Sequence, residues 1–308
     1  MRDLAPKRWR GWLLLQAAAG IGLAVGGARY YFTHPRRVTA AAPVDLVKAS
    51  RDVFRQAADS TRLHAIWLGG HGERTIVHHH GYNSCAGVVR ASRPEALTAW
   101  PLVREGLARG YNFLLVDARA HGKSEGPWDP KGHRVAEDLM GWVNWLREVH
   151  GQMWVGLWGH SFGATVGLSL AARPAGGGLD AMVLDSPAIS GRGLYAGMIQ
   201  KPLYWIVQPV IQQLADERLQ DNLQTAHVWM PILFIHGMLD SHVPQWHSEQ
   251  AYEMIWSADE PERVELWLVP GADHLEGLEI APKMYIRRAL DWFDRWLGLG
   301  SPSGGGST

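Results

Sequence analysis

The stretch Leu157–Ala164, "LWGHSFGA", places Ser161 between Gly159 and Gly163 at the end of an apolar run. The residues ahead of it, "MWVGLWGH" (153–160), read as a buried strand. Those after it, "FGATVGLSLAARP" (162–174), read as a helix. A serine on a strand-to-helix turn, with glycine two positions before and two after, is a G-x-S-x-G elbow. The glycines have a physical task. The turn forces the serine toward strained backbone angles, and close packing leaves no room for a Cβ on either side. The dipole of the following helix favours negative charge beside the serine. Taken alone, the pentapeptide also fits a small-residue turn with no chemistry, so the rest of the chain has to decide.

Outward from the elbow, strand-like and helix-like segments alternate. "LHAIWLGG" (63–70) and "RTIVHHHG" (74–81) read as strands joined by a short turn. "PEALTAWPLVREGLARG" (94–110) reads as a helix despite its internal Pro101, and "YNFLLVDARAHG" (111–122) as a buried strand. "RVAEDLMGWVNWLREVHG" (134–151) has amphipathic helical spacing, and "LDAMVLDSP" (179–187) is again a strand. Beyond residue 231 the alternation resumes with "PILFIHG" (231–237), "QWHSEQAYEMIWS" (245–257), "VELWLVPG" (264–271) and "PKMYIRRALDWFDRWLG" (282–298). This order predicts an α/β fold with a mostly parallel central sheet flanked by helices. Most of its strands are continuous apolar runs, as strands buried on both faces must be. Residues 190–228 break the rhythm with helical composition interrupted by Pro202 and Pro209. They read as a short helical cap inserted over the carboxyl edge of the sheet, where such sheets bind ligands. Its Tyr195, Met198, Tyr204, Trp205 and Ile206 suit an apolar acyl pocket as well as cap-to-core packing.

A serine hydroxyl is a poor nucleophile at neutral pH and needs a base, with a third group to orient it. "HGMLDSHVP" (236–244) sets Asp240 just past one strand, and "PGADH" (270–274) sets His274 just past the next. The chain order Ser161, Asp240, His274 is the order of α/β-hydrolases. Asp185 in "LDSP" is the alternative acid, disfavoured because Asp240 alone has the H-G-x-x-D-x-x-V-P setting. Asp273 reads as structural, His160 should point away from Ser161, and His242 is a candidate pocket residue. His121 and Ser124 read as stabilisers of their own loop. No metal is expected at "HHH" (78–80), since His79 faces away from its neighbours and no carboxylate or cysteine completes a set.

With "HGYNS" (80–84) and "DARAHGKSEG" (117–126), these motifs make the chain resemble an α/β-hydrolase over about residues 60–298. Ala120 stands where the family's D-x-R-G-H-G-x-S turn has glycine. The set is most similar to membrane-anchored bacterial hydrolases grouped with serine aminopeptidase-like and BEM46-like proteins. The resemblance implies an oxyanion hole from the amides of Phe162 and Tyr82, a carboxylesterase-like serine hydrolase, and no cofactor. The expected substrate is a small acyl compound, ester before thioester before N-terminal peptide. A serine aminopeptidase-type peptidase and a catalytically silent, membrane-anchored binding or scaffold protein are the alternatives.

Bulk composition narrows the field. The 308 residues are 46% hydrophobic, enough for an ample core. Lys+Arg 30 balances Asp+Glu 30, so no charge excess points to nucleic acid. The sixteen tryptophans read as core packing, and the lone Cys85 rules out an intramolecular disulfide. Near the N-terminus, Lys7, Arg8 and Arg10 precede an uncharged run from Gly11 to Ala28, and Arg29, Arg36 and Arg37 follow. As a helix the run would span roughly 27 Å, near the thickness of a bilayer core. Three readings fit: an uncleaved signal-anchor, a signal peptide cleaved near Ala40–Ala42, and a buried or amphipathic helix. The first fits best, since the run is long for a leader and basic residues separate it from the small residues. It makes residues 1–44 an anchor with linker, 45–298 the hydrolase domain and 299–308 a flexible tail. The domain would then lie outside the cytoplasm; secreted and cytoplasmic locations belong to the other two readings.

Overall fold

The computed structural model describes residues 5–70, 72–91, 97–191, 201–214 and 218–298. Its strands are β1 (Ser50–Gln56), β2 (Arg62–Leu68), β3 (Arg74–His79), β4 (Val88–Arg90), β5 (Leu97–Thr98), β6 (Asn112–Val116), β7 (Trp154–His160), β8 (Ala181–Asp185), β9 (Ile232–Gly237) and β10 (Val264–Val269). Eight of them form one sheet in the order β1-β2-β6-β3-β7-β8-β9-β10. From β6 to β10 all pairings are parallel, and β2 and β1 extend the edge through antiparallel pairings. Among the described residues, the short β4 and β5 pair only with each other.

Successive residues of a strand point to opposite faces, and here both faces are covered. Val77, Leu114, Leu157, Met182 and Phe234 pack with Leu139, Trp142 and Leu168, from helices His133–His150 and Phe162–Ala171. Their neighbours Ile76, Phe113, Leu115, Trp158, Val183 and Leu233 pack on the other face with Leu102, Tyr285, Leu290 and Phe293, from helices Trp100–Ala108 and Pro282–Trp296. Each such side chain, fully buried, contributes about 1.5–3 kcal/mol. This two-sided burial is why the central strands read as unbroken apolar runs.

Local departures from the sequence reading have local causes. Pro101 interrupts nothing, because the helix begins at Trp100 and proline sits in its first turn, where no intrahelical N–H is needed. The charged segment Ser50–Gln56 had no strand signal, yet it pairs along the whole of β2. It is an edge strand with one exposed face, and Arg51, Asp52 and Arg55 suit such an edge. Helices Lys201–Leu214 and Arg218–Thr225 occupy the stretch read as a cap, and their Leu214 and Leu219 line the same pocket as Ser161. Tyr195 and Met198 fall outside the described residues, as do the side chains of Tyr204 and Trp205 and the tail 299–308.

The N-terminal helix runs Ala5–Thr33, with side chains described from Gln16 onward except Phe32. Among the described residues no helix is long and apolar enough to cross a membrane. The spanning helix expected over residues 11–28 is therefore not supported; alanine and glycine supply little apolar surface, and Gln16 interrupts it. The end of this helix instead meets the cap, with Ala28 against Val207 and Ile211.

Burial also sets a pH dependence. His78, His79, His80, His121, His160 and His247 are all buried. Burial pushes His79 and His121 down to about 4, His160 and His247 down to about 3, and His78 and His80 well below the ordinary histidine value. Unfolded, each would titrate near ~6.5. Between those limits the unfolded chain binds more protons, so stability falls as pH drops from about 6.5 toward 4. Asp185 acts oppositely. Burial raises it to about 6, so it favours the folded state as pH falls through that value. Burial also raises Asp138 and Asp180, but six imidazoles outnumber these three carboxyls. The urea midpoint is expected to fall at each step from about pH 7.5 to 6 to 5, and an unchanged midpoint would contradict neutral buried imidazoles.

Candidate active site

The elbow forms at the carboxyl end of β7, the central parallel strand between β3 and β8. Ser161 has φ 49° and ψ −111°, a strained conformation for a residue with a side chain. Its amide donates to the Asp185 carbonyl at 2.8 Å, which ties the turn to β8. A Cβ on Gly163 would lie 2.3 Å from the His79 carbonyl oxygen, and one on Gly159 would lie 2.8 Å from the Gly163 oxygen. Both glycines are therefore required by backbone packed against backbone.

His274 and Asp240 arrive from the loops after β10 and β9. The Ser161 hydroxyl is 3.0 Å from His274 Nε2, and His274 Nδ1 is 2.7 Å from Asp240 Oδ2. In this arrangement Nδ1–H donates to the carboxylate and Nε2 accepts from the serine. Asp240 Oδ1 accepts the amides of His242 at 2.9 Å and Val243 at 2.7 Å, which fixes the carboxyl plane. Burial would raise the Asp240 pKa, but hydrogen bonds from His236 and His274 outweigh it and hold the carboxyl well below its usual range.

His236 is a participant that sequence reasoning missed. It is fully buried on β9. Its Nδ1 lies 2.7 Å from Ser248 Oγ and its Nε2 lies 2.7 Å from the Val243 carbonyl. The carbonyl can only accept, so Nε2 carries the proton. That same Nε2 is 3.3 Å from Asp240 Oδ2 and gives the carboxylate a second imidazole N–H. The motif H-G-x-x-D held the signal, four residues before the acid, but nothing in it distinguishes a supporting histidine from a core one.

The other candidate side chains have separate duties. Asp185 is 2% exposed, and its oxygens accept from the hydroxyls of Tyr285 at 2.7 Å and Ser186 at 3.1 Å, below the elbow rather than at His274. Asp273 accepts the amides of Ser241 and His274, each at 2.7 Å. His242 stacks on His274 with ring centroids 5.3 Å apart. Among the described residues, Asp240, His242 and Asp273 are the one group whose ligand atoms lie close enough for a metal. Its two carboxylates are already committed to the hydrogen bonds just described.

Tyr82 follows Gly81, where a Cβ would lie 3.2 Å from the Ser161 Cβ, so the loop passes directly over the serine. Two buried histidines hold it. His80 Nδ1–H donates to the Gly81 carbonyl at 2.7 Å while Nε2 accepts the Ala118 amide at 3.0 Å. His121 Nδ1–H donates to the Arg119 carbonyl at 3.1 Å while Nε2 accepts the Asn83 amide at 3.2 Å. Neutral imidazole, one nitrogen donating and one accepting, is the form that both positions require. Ser124 closes the same turn, its hydroxyl donating to the Asp117 carbonyl at 2.8 Å. Phe162 begins the helix after the elbow, so its amide has no intrahelical partner.

Ser161, His274, Tyr82 and Phe162 all open onto a cavity of about 620 Å³. Trp128, Val166, Leu214 and Leu219 give it apolar walls. Trp128 lies 4.7 Å from the Phe162 ring, centroid to centroid, and 5.4 Å from that of Tyr82.

Fold and site together define a class: a parallel α/β sheet with a hydrogen-bonded serine on an elbow at its carboxyl edge. A family model described as the alpha/beta hydrolase fold matches residues 74–228. The uncharacterized protein YfhR of Escherichia coli K12 is 31% identical over 230 residues, 71% of this chain and 72% of that protein. The lysophosphatidylserine lipase ABHD12 of Danio rerio is 26% identical over 154 residues, 47% of this chain and 40% of that protein. Among solved structures, the Pyrococcus furiosus esterase Pf2001 matches with a TM-score of 0.69 at 25% identity, over 86% of this chain and 98% of that one. The chain belongs to the α/β-hydrolase superfamily, and its esterase and lipase relatives support a hydrolytic function.

Proposed function

We propose that the chain is a serine hydrolase that cleaves carboxylic esters through an acyl-enzyme on Ser161. The observation that carries this reading is the continuous hydrogen-bonded line from Ser161 Oγ through His274 to Asp240, at 3.0 and 2.7 Å, beside an apolar cavity. His274 Nε2 takes the Ser161 proton as Oγ attacks the ester carbonyl. The Tyr82 and Phe162 amides receive the oxyanion, each worth roughly 3 kcal/mol of barrier. His274 then protonates the departing alkoxide, and water repeats the sequence to free the acid. Asp240 holds the imidazole in the tautomer that keeps Nε2 free to accept.

The Pyrococcus esterase and the zebrafish lipase among the relatives favour esters over peptides as first substrates. A panel of p-nitrophenyl esters of increasing acyl length tests the assignment. Turnover should appear with an initial burst of nitrophenol and rise from acetate to medium chains that fill the cavity. Absence of turnover across the panel, with turnover of N-terminal peptide amides instead, would favour the peptidase reading.

His236 supplies a finer prediction. His236→Leu removes one donor from Asp240 and leaves the carboxylate more basic. We expect kcat to fall roughly tenfold, as for loss of a hydrogen bond to a charged group. The acidic limb of kcat/KM should move to higher pH, because Asp240 loses one of the two imidazole donors that hold its carboxyl low. His236→Gln, which can keep an N–H near the same point, should recover much of both. Identical pH profiles in all three proteins would assign His236 to packing alone.

A further inference from the structure

The end of the N-terminal helix is bound to the loop that carries the Tyr82 amide. The Tyr82 phenol donates to the Tyr31 carbonyl. Five residues on, the Arg36 amide donates to Asn83 Oδ1 at 2.8 Å. The Tyr31 and Tyr82 rings meet edge to face, with centroids 6.1 Å apart. Asn83 has φ 57°, a left-handed conformation that holds the chain in a tight turn at this point. His121 grips the same residue through its backbone amide. Asn83 is thus held from the sheet side by His121 and from the outside by residue 36.

The same segment reaches the cap and the cavity. Ala28 packs on Val207 and Ile211, and Arg29 donates to Gln213 at 3.5 Å. Tyr31, Arg36 and Val38 line the cavity that Ser161 opens onto. Contacts between residues 47 to 51 positions apart have no counterpart in a leader or a passive tether, which needs no specific partner in the domain.

We infer that residues 31–38 are a strap of the active site: they position the oxyanion loop through Tyr82 and Asn83 and form one wall of the acyl cavity. The inference rests on the acyl-transfer reading. It implies that the chain is fully competent only while the strap remains attached and docked, so a cleavage near Ala40–Ala42 would yield a crippled enzyme rather than a mature one. Tyr31 and Arg36 act here through backbone groups, as positioning residues. Loss of a whole oxyanion donor costs about 10²–10³ in kcat, and a loosened donor forfeits part of that.

The test cuts the full chain after it has folded. A protease site is built into residues 40–43, and the purified protein is assayed before and after cleavage and removal of the N-terminal fragment. With an aryl acetate, too short to need the strap's wall, kcat should fall at least tenfold with little change in KM. With a long-chain ester KM should rise as well. A second pair of variants, in the uncut chain, isolates the hydrogen bond: Arg36→Pro lacks the backbone N–H, whereas Arg36→Ala keeps it. The proline variant should have a kcat at least fivefold below that of the alanine variant. Unchanged kcat after cleavage, together with equal kcat in the two variants, would overturn the strap. If the uncut chain neither turns over esters nor is acylated at Ser161, the acyl-transfer reading has failed first, and the strap's catalytic role with it.

Discussion

Ser161→Ala should lower kcat for esters by about 10⁶-fold, as removal of a nucleophile does where serine and base act as one unit. The argument is local. The Ser161 hydroxyl is placed by an elbow whose glycines cannot carry a Cβ and whose amide is tied to Asp185, so no neighbouring hydroxyl can take its place. Water near the cavity would still find His274 and the two amides, which leaves a residue of catalysis over solution. Stability should hardly change. The hydroxyl's bond to His274 at 3.0 Å is partly exposed, and alanine keeps the same backbone strain as serine, so Tm is expected to move by only about a few degrees. A large loss of Tm with the loss of activity would mean that Ser161 supports the fold.

The second large effect is expected from Asp240→Asn, at about 10⁴-fold in kcat. The Oδ1 position accepts the amides of His242 and Val243, so the asparagine carbonyl must take that side. Its NH₂ is then forced into the Oδ2 position, facing His274 Nδ1 at 2.7 Å and the proton on His236 Nε2 at 3.3 Å. His274 can meet an NH₂ only by presenting Nδ1 as acceptor, which moves its proton to Nε2. In that tautomer it cannot accept from Ser161. The clash with the His236 N–H adds an unsatisfied donor to a buried site, so here a loss of stability of about 1–3 kcal/mol should accompany the loss of rate. The isosteric change separates the two chains of cause: kcat reports the tautomer and the urea midpoint reports the buried donors. A kcat within tenfold of the parent would show that Asp240 does not set the His274 tautomer.

Much of this arrangement could be read from sequence, and the reasons differ by residue. The elbow was legible because its glycines answer a steric demand that few other turns make. Asp240 and His274 were legible because parallel sheets deliver loop residues to one edge, so two polar groups just past apolar runs must converge. The central strands were legible because both faces are buried. β1 was not, since an edge strand needs neither continuous apolarity nor strict alternation, and its register comes from β2. The duties of His80, His121 and His236 were hidden for a different reason. A histidine's role depends on which backbone group meets each ring nitrogen, and that is decided by tertiary contact. The N-terminal segment is the extreme case: its apolar run suggested a spanning helix, whereas its final turn and residue 36 bind Tyr82 and Asn83 through backbone atoms that leave no trace in the sequence.

The central claim is that Ser161 becomes acylated. The most direct measurement is treatment of the folded chain with a fluorophosphonate, followed by mass spectrometry of the digested protein. The account predicts one phosphonyl adduct per chain, on the peptide containing Ser161 and absent from Ser161→Ala. An adduct elsewhere, or no adduct on a folded chain, would contradict it.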